Sequence, residues 1–183
     1  LANLEIKSLS VENTSVPQNP FELKSDEAKN IGFEISDRAN FWLGYYNEPR
    51  LIYTAPAFRL GPWKASNRRT VHIAIDVFAD EGTELFAPLD GEVFTAEYRE
   101  SQLDYGGVII LKHITPSKDE FFTLYGHLDP VFLNKLKVGD KIAKGQNFCQ
   151  LGSPDENGGW APHVHFQLAL TTDGMEADWP GVA

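Results

Sequence analysis

Two histidines separated by one residue are the clearest candidates for chemistry in this chain. They stand in the apolar, β-favouring run APHVHFQ at residues 161–167. On a strand, His163 and His165 would point to the same face, about 7 Å apart. One ring could then bind a metal ion while the other lines the cavity beside it, and the spacing alone does not decide which. Buried histidines with hydrogen-bond partners are common, so the case depends on what else reaches the same point.

A second candidate pair is His72 and Asp76, four residues apart in a run rich in β-branched residues. Such residues disfavour a helix, in which these two side chains would meet directly. On a flat strand the two side chains would be about 13 Å apart, too far to share an ion bound at about 2 Å. Joint ligation therefore requires a bend between them, near Ala74.

With that bend, His72, Asp76 and one of the paired histidines make a set of two imidazoles and one carboxylate. Such a set suits Zn²⁺ and leaves a fourth position open for water. The metal would lower the pKa of that water towards about 7 and polarise a carbonyl under attack. His127 and the other histidine of the pair are available to manage protons and the oxyanion.

The elements that must position these residues are β-strands. From Val71 onward, short β-prone runs alternate with Gly, Pro and Asp, and no amphipathic helix separates them, which favours a mainly antiparallel β architecture. Two segments, Thr83–Val93 and Val138–Gly152, share a strand–turn–strand pattern that resembles the duplicated hairpin of barrel-sandwich hybrid folds. The predicted strands are Val71–Phe78, Glu84–Ala87, Gly91–Tyr98, Val108–His113, Phe121–His127, Lys141–Ala143, Phe148–Leu151 and His163–Leu170.

Composition describes a globular chain and excludes two classes of partner. No apolar run approaches the roughly 18 residues of a membrane-spanning helix, so we expect no membrane insertion. The formal charge is −10, and such an acidic surface disfavours nucleic acid. We predict an N-terminal arm, or the tail of a preceding module, at residues 1–45 and a single β domain at residues 46–183. The one cysteine, Cys149, is interpreted as a small buried hydrophobe.

Five motifs then occur in one order over about residues 71–170. Together they resemble the lysostaphin-type (LytM-like) zinc metallopeptidases, which cut peptide cross-links in bacterial cell walls. The resemblance implies a Zn²⁺-dependent metalloendopeptidase with a peptide or peptidoglycan substrate. The motifs are His72…Asp76, Gly82-Thr83…Ala87-Pro88…Asp90-Gly91, Leu124-Tyr125-Gly126-His127-Leu128, Val138-Gly139-Asp140…Lys144-Gly145-Gln146 and Pro162-His163-Val164-His165-Phe166.

The resemblance also assigns roles to individual residues. It implies that His72, Asp76 and His165 hold the zinc ion. It implies that His127 and His163 are the catalytic histidines beside the bound water.

The chain departs from the family pattern at several positions. Ala74 stands where the family usually has Gly, and Gln167 stands where it often has Glu. Residues 154–160 (PDENGGW) form an enlarged loop that could reshape the cleft. His113 is interpreted as a structural or cleft-lining residue. Arg68 and Arg69 are interpreted as a solvated pair, with binding of a substrate carboxylate as the alternative.

The flanking sequences support a rival interpretation. They are similar to fusion proteins in which a peptidase-like module lies between a kinase-like phosphotransferase and a class III aminotransferase. On that interpretation the module is a catalytically idle metal- or metabolite-binding part of a cytoplasmic enzyme, whereas a secreted peptidase would act at the cell envelope. The segments concerned are Tyr46–Tyr53, Glu156–Trp160 and Trp179–Ala183.

The ligand assignment predicts the effect of one substitution. His165→Ala should abolish stoichiometric zinc binding, because it removes one of three protein ligands. Elemental analysis of the purified variant measures this directly. A full equivalent of zinc in the variant would contradict the assignment.

Overall fold

The computed structural model describes residues 4–6, 9–10, 41–50, 53, 58, 69–175 and 179–183. These residues form twelve strands and one short helix, Pro130–Leu133. The strands are β1 (Leu4–Ile6), β2 (Phe41–Gly44), β3 (Glu48–Pro49), β4 (Val71–His72), β5 (Ile75–Phe78), β6 (Glu84–Phe86), β7 (Gly91–Arg99), β8 (Gly106–Ile114), β9 (Glu120–Leu128), β10 (Lys141–Ile142), β11 (Asn147–Gln150) and β12 (His163–Ala169).

One large sheet carries most of the fold. Its eight strands lie in the order β1-β2-β5-β12-β9-β8-β7-β10. Every neighbouring pair is antiparallel except β1 with β2. The predicted architecture, mainly β and antiparallel, is confirmed. Each predicted strand is present within one or two residues of its expected ends, except the first, which is split into β4 and β5.

The two strand–turn–strand segments pair with each other rather than each closing on itself. Strand β6 of the first segment pairs with β11 of the second, and β7 pairs with β10. This reciprocal pairing is the duplicated arrangement that the sequence pattern predicts.

The core lies on both faces of the central strand β8. Because side chains alternate along a strand, Ile109 and Leu111 pack on one face with residues of β6, β11 and the short helix nearby. Val108 and Ile110 pack on the other face, against β9 and the C-terminal segment. Cys149 is fully buried in the first cluster, as predicted, and burial raises the pKa of its thiol.

The break between β4 and β5 confirms the predicted bend. Strand β4 ends at His72, β5 begins at Ile75, and the chain bends at Ala74. Ala74 is almost fully buried, and it is not among the described residues with positive φ. An alanine therefore occupies this bend without the strain that a left-handed backbone imposes on a side chain.

Residues ahead of the predicted domain start also enter the sheet. Strand β1 pairs with β2, and β2 pairs with β5. The boundary between residues 45 and 46 stays a prediction, and so does the interpretation of Arg68, which lies outside the described residues. Within the part of the chain that the structure describes, no helix is long and apolar enough to cross a membrane.

The close approach at Gly106 predicts a large cost for adding a methyl group. Gly106 has φ of 62°, and a Cβ there would lie 2.1 Å from the carbonyl oxygen of Glu156. Gly106→Ala should therefore lower the free energy of unfolding by about 3 kcal/mol or more, measured by urea denaturation.

Gly82→Ala is the matched control. Gly82 also has positive φ, 75°, but its Cβ would meet nothing within 4 Å. Its expected cost is only about 1 kcal/mol. Equal costs at the two positions would show that the contact with Glu156 is unimportant.

Candidate metal centre

Three polar side chains converge where β4, β5 and β12 meet. Strands β5 and β12 set His165 directly opposite Asp76, and the bend before β5 turns His72 towards them. His72 Nε2 lies 3.1 Å from His165 Nδ1 and 3.1 Å from Asp76 Oδ1. His165 Nδ1 lies 3.4 Å from the same carboxylate oxygen. All three side chains are buried, and the structure thus brings together the three residues predicted as ligands.

The size of this triangle suits a zinc ion. Ligand atoms bound tetrahedrally at about 2.0–2.1 Å from Zn²⁺ lie about 3.3 Å from one another. The three observed separations, 3.1, 3.1 and 3.4 Å, are close to that value. The three atoms could therefore bind one tetrahedral ion with little rearrangement.

Hydrogen bonds on the outer side of each ring fix its tautomer. His72 Nδ1 lies 3.1 Å from the carbonyl oxygen of Tyr45, which can only accept, so Nδ1 carries the hydrogen. His165 Nε2 lies 3.1 Å from Gln167 Oε1. The amide of Gln167 is oriented by its Nε2, which donates to the carbonyl oxygen of Pro180. Each ring therefore directs a lone pair at the centre.

This arrangement calls for a cation. Two imidazole lone pairs and a carboxylate oxygen face one another in a buried space, where like partial charges repel strongly. Asp76 Oδ1 makes no hydrogen bond to any described residue, an expensive state for a buried carboxylate oxygen. Burial lowers the pKa of His165, so a proton is a poor substitute for a metal ion.

The other two predicted histidines lie beside this centre. The rings of His127 and His163 are 4.2 Å apart, centroid to centroid. His127 Nδ1 donates to the carbonyl oxygen of Asn157 at 3.0 Å, and His163 Nδ1 donates to that of Ala161 at 2.6 Å. Nε2 of each ring is therefore the unprotonated nitrogen, and that of His163 lies 3.8 Å from Asp76 Oδ1.

Burial and neighbouring side chains set the charges of His127, His163 and Asp76. It lowers the pKa of His163 to about 4 and that of His127 well below the ordinary value of 6.5. Burial alone would raise the pKa of Asp76, but the neighbouring His72 ring and the Arg50 guanidinium hold that pKa well below its usual range. At neutral pH the carboxylate is thus ionised, and His127 and His163 are neutral proton acceptors.

A β-bulge places the His127 ring. Gly107 pairs with Leu128 and Ile109 with Tyr125, so two residues of β9 face one residue of β8 at this point. His127 has φ of 66°, a left-handed conformation that is uncommon for residues with a side chain. Its backbone N–H still donates to the carbonyl oxygen of Tyr105 at 2.9 Å, which holds the bulge in position.

The loop at residues 154–160 supports His127. The side chain of Asn157 is fully buried. Its Nδ2 donates to the carbonyl oxygen of Trp160 at 3.0 Å, and its Oδ1 accepts from the backbone N–H of Trp160 at 2.9 Å. These bonds fix the Asn157 carbonyl that orients the His127 ring, a role that residue type alone does not signal.

A cavity of about 320 Å³ opens beside the two histidines His127 and His165. Arg69 and Trp160 line it, together with the aromatic residues Tyr53, Phe58, Tyr105 and Trp179. His113 is not among its lining residues. The two nitrogens of His113 lie 2.8 Å from the Asp90 carbonyl oxygen and 2.7 Å from Thr123 Oγ1, contacts that are typical of a structural histidine.

Sequence reasoning missed two buried ion pairs that share Arg50. Arg50 Nη1 donates to Asp76 Oδ2 at 2.6 Å, and Arg50 Nε donates to Glu48 Oε2 at 2.8 Å. No motif in the sequence assigns a role to Arg50. A charged residue inside the otherwise apolar run PRLIY was the only available signal.

Comparison with known proteins agrees with the sequence resemblance. The model of peptidase family M23 matches residues 70–177. The lysostaphin catalytic domain from Staphylococcus simulans is 27% identical, over 70% of this chain and 80% of that one, with a TM-score of 0.46. A mutant catalytic domain of the prophage-encoded M23 protein EnpA from Enterococcus faecalis is also 27% identical, over 60% and 72%, with a TM-score of 0.44. No curated protein sequence matches the chain.

The two hydrogen bonds of Gln167 predict that two substitutions will have separable effects. Gln167→Met removes the acceptor for His165 Nε2–H and should weaken zinc binding about 10- to 100-fold. Gln167→Glu keeps an acceptor for His165, but it replaces the donor to the Pro180 carbonyl oxygen with a carboxylate oxygen, which repels that carbonyl. It should retain zinc affinity while losing about 1–3 kcal/mol of folding stability.

Competition with a chromophoric chelator measures the zinc affinity, and urea denaturation of the metal-free protein measures the stability. Equal zinc affinities in the two variants would contradict the role assigned to the amide oxygen.

Proposed function

The chain belongs to peptidase family M23, and on this premise we propose that it is a zinc-dependent metalloendopeptidase whose substrates are peptidoglycan-type peptide cross-links. His72, Asp76 and His165 are the proposed ligands. His127 and His163 are the proposed catalytic histidines.

One observation carries the proposal. Three buried donor atoms, His72 Nε2, Asp76 Oδ1 and His165 Nδ1, face one another at 3.1–3.4 Å. The outer nitrogen of each imidazole donates its hydrogen to an acceptor outside the centre. A neutral ring therefore has no hydrogen left to donate to the other two atoms of the centre. A divalent cation satisfies all three atoms at once.

Zn²⁺ bound by these residues would supply a water molecule of lowered pKa and polarise the scissile carbonyl. The remaining work falls to protein groups. Hydrolysis forms a bond from the water oxygen to the carbonyl carbon and breaks the C–N bond. The water must lose a proton and the leaving amine must gain one.

His127 and His163 have the properties that this proton transfer needs. Their Nε2 atoms carry lone pairs, and the lowered pKa of each ring keeps it neutral at pH 7. A neutral imidazole accepts the proton of the water, and the resulting imidazolium, a strong acid in this buried setting, gives it to the amine nitrogen. An imidazolium also donates to the oxyanion while it holds the proton.

The cavity beside His127 is the proposed substrate site. Its volume of about 320 Å³ is within the range of small-ligand pockets and accommodates a few residues of an extended peptide. Trp160 supplies an apolar wall, and its Nε1 donates to the Asp104 carbonyl oxygen, which fixes the ring. Arg69 lines the same cavity and is the proposed contact for a substrate carboxylate.

The proton-transfer role predicts a variant that separates metal binding from catalysis. His127→Asn should keep a full equivalent of zinc but lose activity about 10²- to 10⁴-fold. Asn is chosen because it tolerates the left-handed backbone at this position. Zinc content by elemental analysis and turnover by mass spectrometry are the two readouts. Unchanged turnover in this variant would remove His127 from the mechanism.

The substrate class is tested with defined peptides. Zinc-loaded protein is incubated with glycine-rich and with D-alanyl muropeptides, and products are identified by mass spectrometry. Cleavage that disappears in the presence of a chelator supports the proposal. A stoichiometrically zinc-loaded protein that cleaves neither series would overturn it in favour of the idle-module interpretation.

A further inference from the structure

The two oxygens of Asp76 have different surroundings. Oδ1 faces the imidazoles of His72 and His165. Oδ2 points away from them and accepts a hydrogen bond of 2.6 Å from Arg50 Nη1. One oxygen of the carboxylate therefore faces the candidate metal centre, and the other binds a buried guanidinium.

Arg50 is itself held in place. Its Nε donates to Glu48 Oε2 at 2.8 Å, and Glu48 Oε1 accepts from the backbone N–H of Leu9 at 2.7 Å. Arg50 and Glu48 are both buried. The planar guanidinium thus bridges two carboxylates in fixed directions, which a flexible lysine could not do.

The local backbone leaves room for this bridge. Strand β2 pairs Gly44 with Asp76, and a Cβ at Gly44 would lie 2.7 Å from Arg50 Nη2. A larger residue on β2 would therefore push the guanidinium away from the carboxylate. The residues that build the bridge, Gly44, Glu48 and Arg50, all precede the region that matches the family, residues 70–177.

We propose that Arg50 is a positioning residue of the metal centre, which holds Asp76 Oδ2 so that the carboxylate presents a single oxygen to the ion. This inference rests on the metal site of the proposed function. A carboxylate free to rotate could bind the ion through both oxygens and fill the position that a water molecule needs. The charge of Arg50 also reduces the electron donation of Asp76, which keeps a bound ion electrophilic.

Substitution of Arg50 alone cannot test this role, because it also lowers the stability of the folded protein. Arg50→Met alone removes the guanidinium that binds the buried carboxylate of Glu48, and losing one member of a buried ion pair strongly destabilises a protein. The double variant Arg50→Met with Glu48→Gln removes both charges. Glutamine at position 48 keeps an oxygen that can accept from the Leu9 N–H.

The experiment compares the full wild-type chain with this double variant. Zinc affinity is measured by competition with a chelator, and the visible absorption of the Co²⁺-loaded protein reports coordination number. We expect the double variant to bind zinc about 10- to 100-fold more weakly. We also expect its Co²⁺ absorption to fall in intensity, because five-coordinate Co²⁺ absorbs more weakly than four-coordinate Co²⁺.

The matched control is Arg99→Met with Glu97→Gln, an ion pair of 2.8 Å on strand β7. It should leave both readouts unchanged. Wild-type affinity and spectrum in a folded Arg50→Met, Glu48→Gln protein would overturn the proposal and make the bridge purely structural. Failure of the wild-type protein to bind zinc or Co²⁺ would instead overturn the metal site itself, and with it the proposed function.

Discussion

The structure depends on one electrostatic constraint: several lone pairs are directed at one another inside a buried space. His72, Asp76 and His165 each direct an unshared electron pair into the same small volume. In water such groups would separate or take up protons, and in a protein interior they persist only if a cation neutralises them. The sheet holds them together. The pairing of β5 with β12 sets His165 opposite Asp76, and the bend at Ala74 brings His72 towards both.

The histidine rings are oriented by hydrogen-bond acceptors that take no part in the proposed reaction. Backbone carbonyls of Tyr45, Asn157 and Ala161 each accept from one ring, and the amide oxygen of Gln167 accepts from a fourth. Each contact selects one tautomer and one ring orientation. Tyr45 lies between β2 and β3, whereas Asn157, Ala161 and Gln167 lie in β12 and the loop before it, so the site requires both stretches of chain to be in place.

The match to peptidase family M23 begins at residue 70, but residues before it complete the candidate site. Strand β2 flanks β5, Tyr45 orients His72, and Arg50 binds Asp76. Burying an arginine with two carboxylates is expensive, and replacing such groups by apolar residues often stabilises a protein. Their presence beside a candidate ligand fits the positioning role that we propose for Arg50 better than a role in the stability of the fold.

The sequence by itself determined the strands, because alternation and turn residues are local, and it determined the set of histidines and the aspartate, because metal chemistry needs those residue types. It also required a bend near Ala74, since a straight strand would keep His72 from Asp76. Only the tertiary structure decided that Arg50 meets Asp76 and that Asn157 orients His127. The physical reason is that every residue carries a carbonyl, so no residue type reveals which carbonyl a ring will find, and contacts between distant segments leave no periodic pattern.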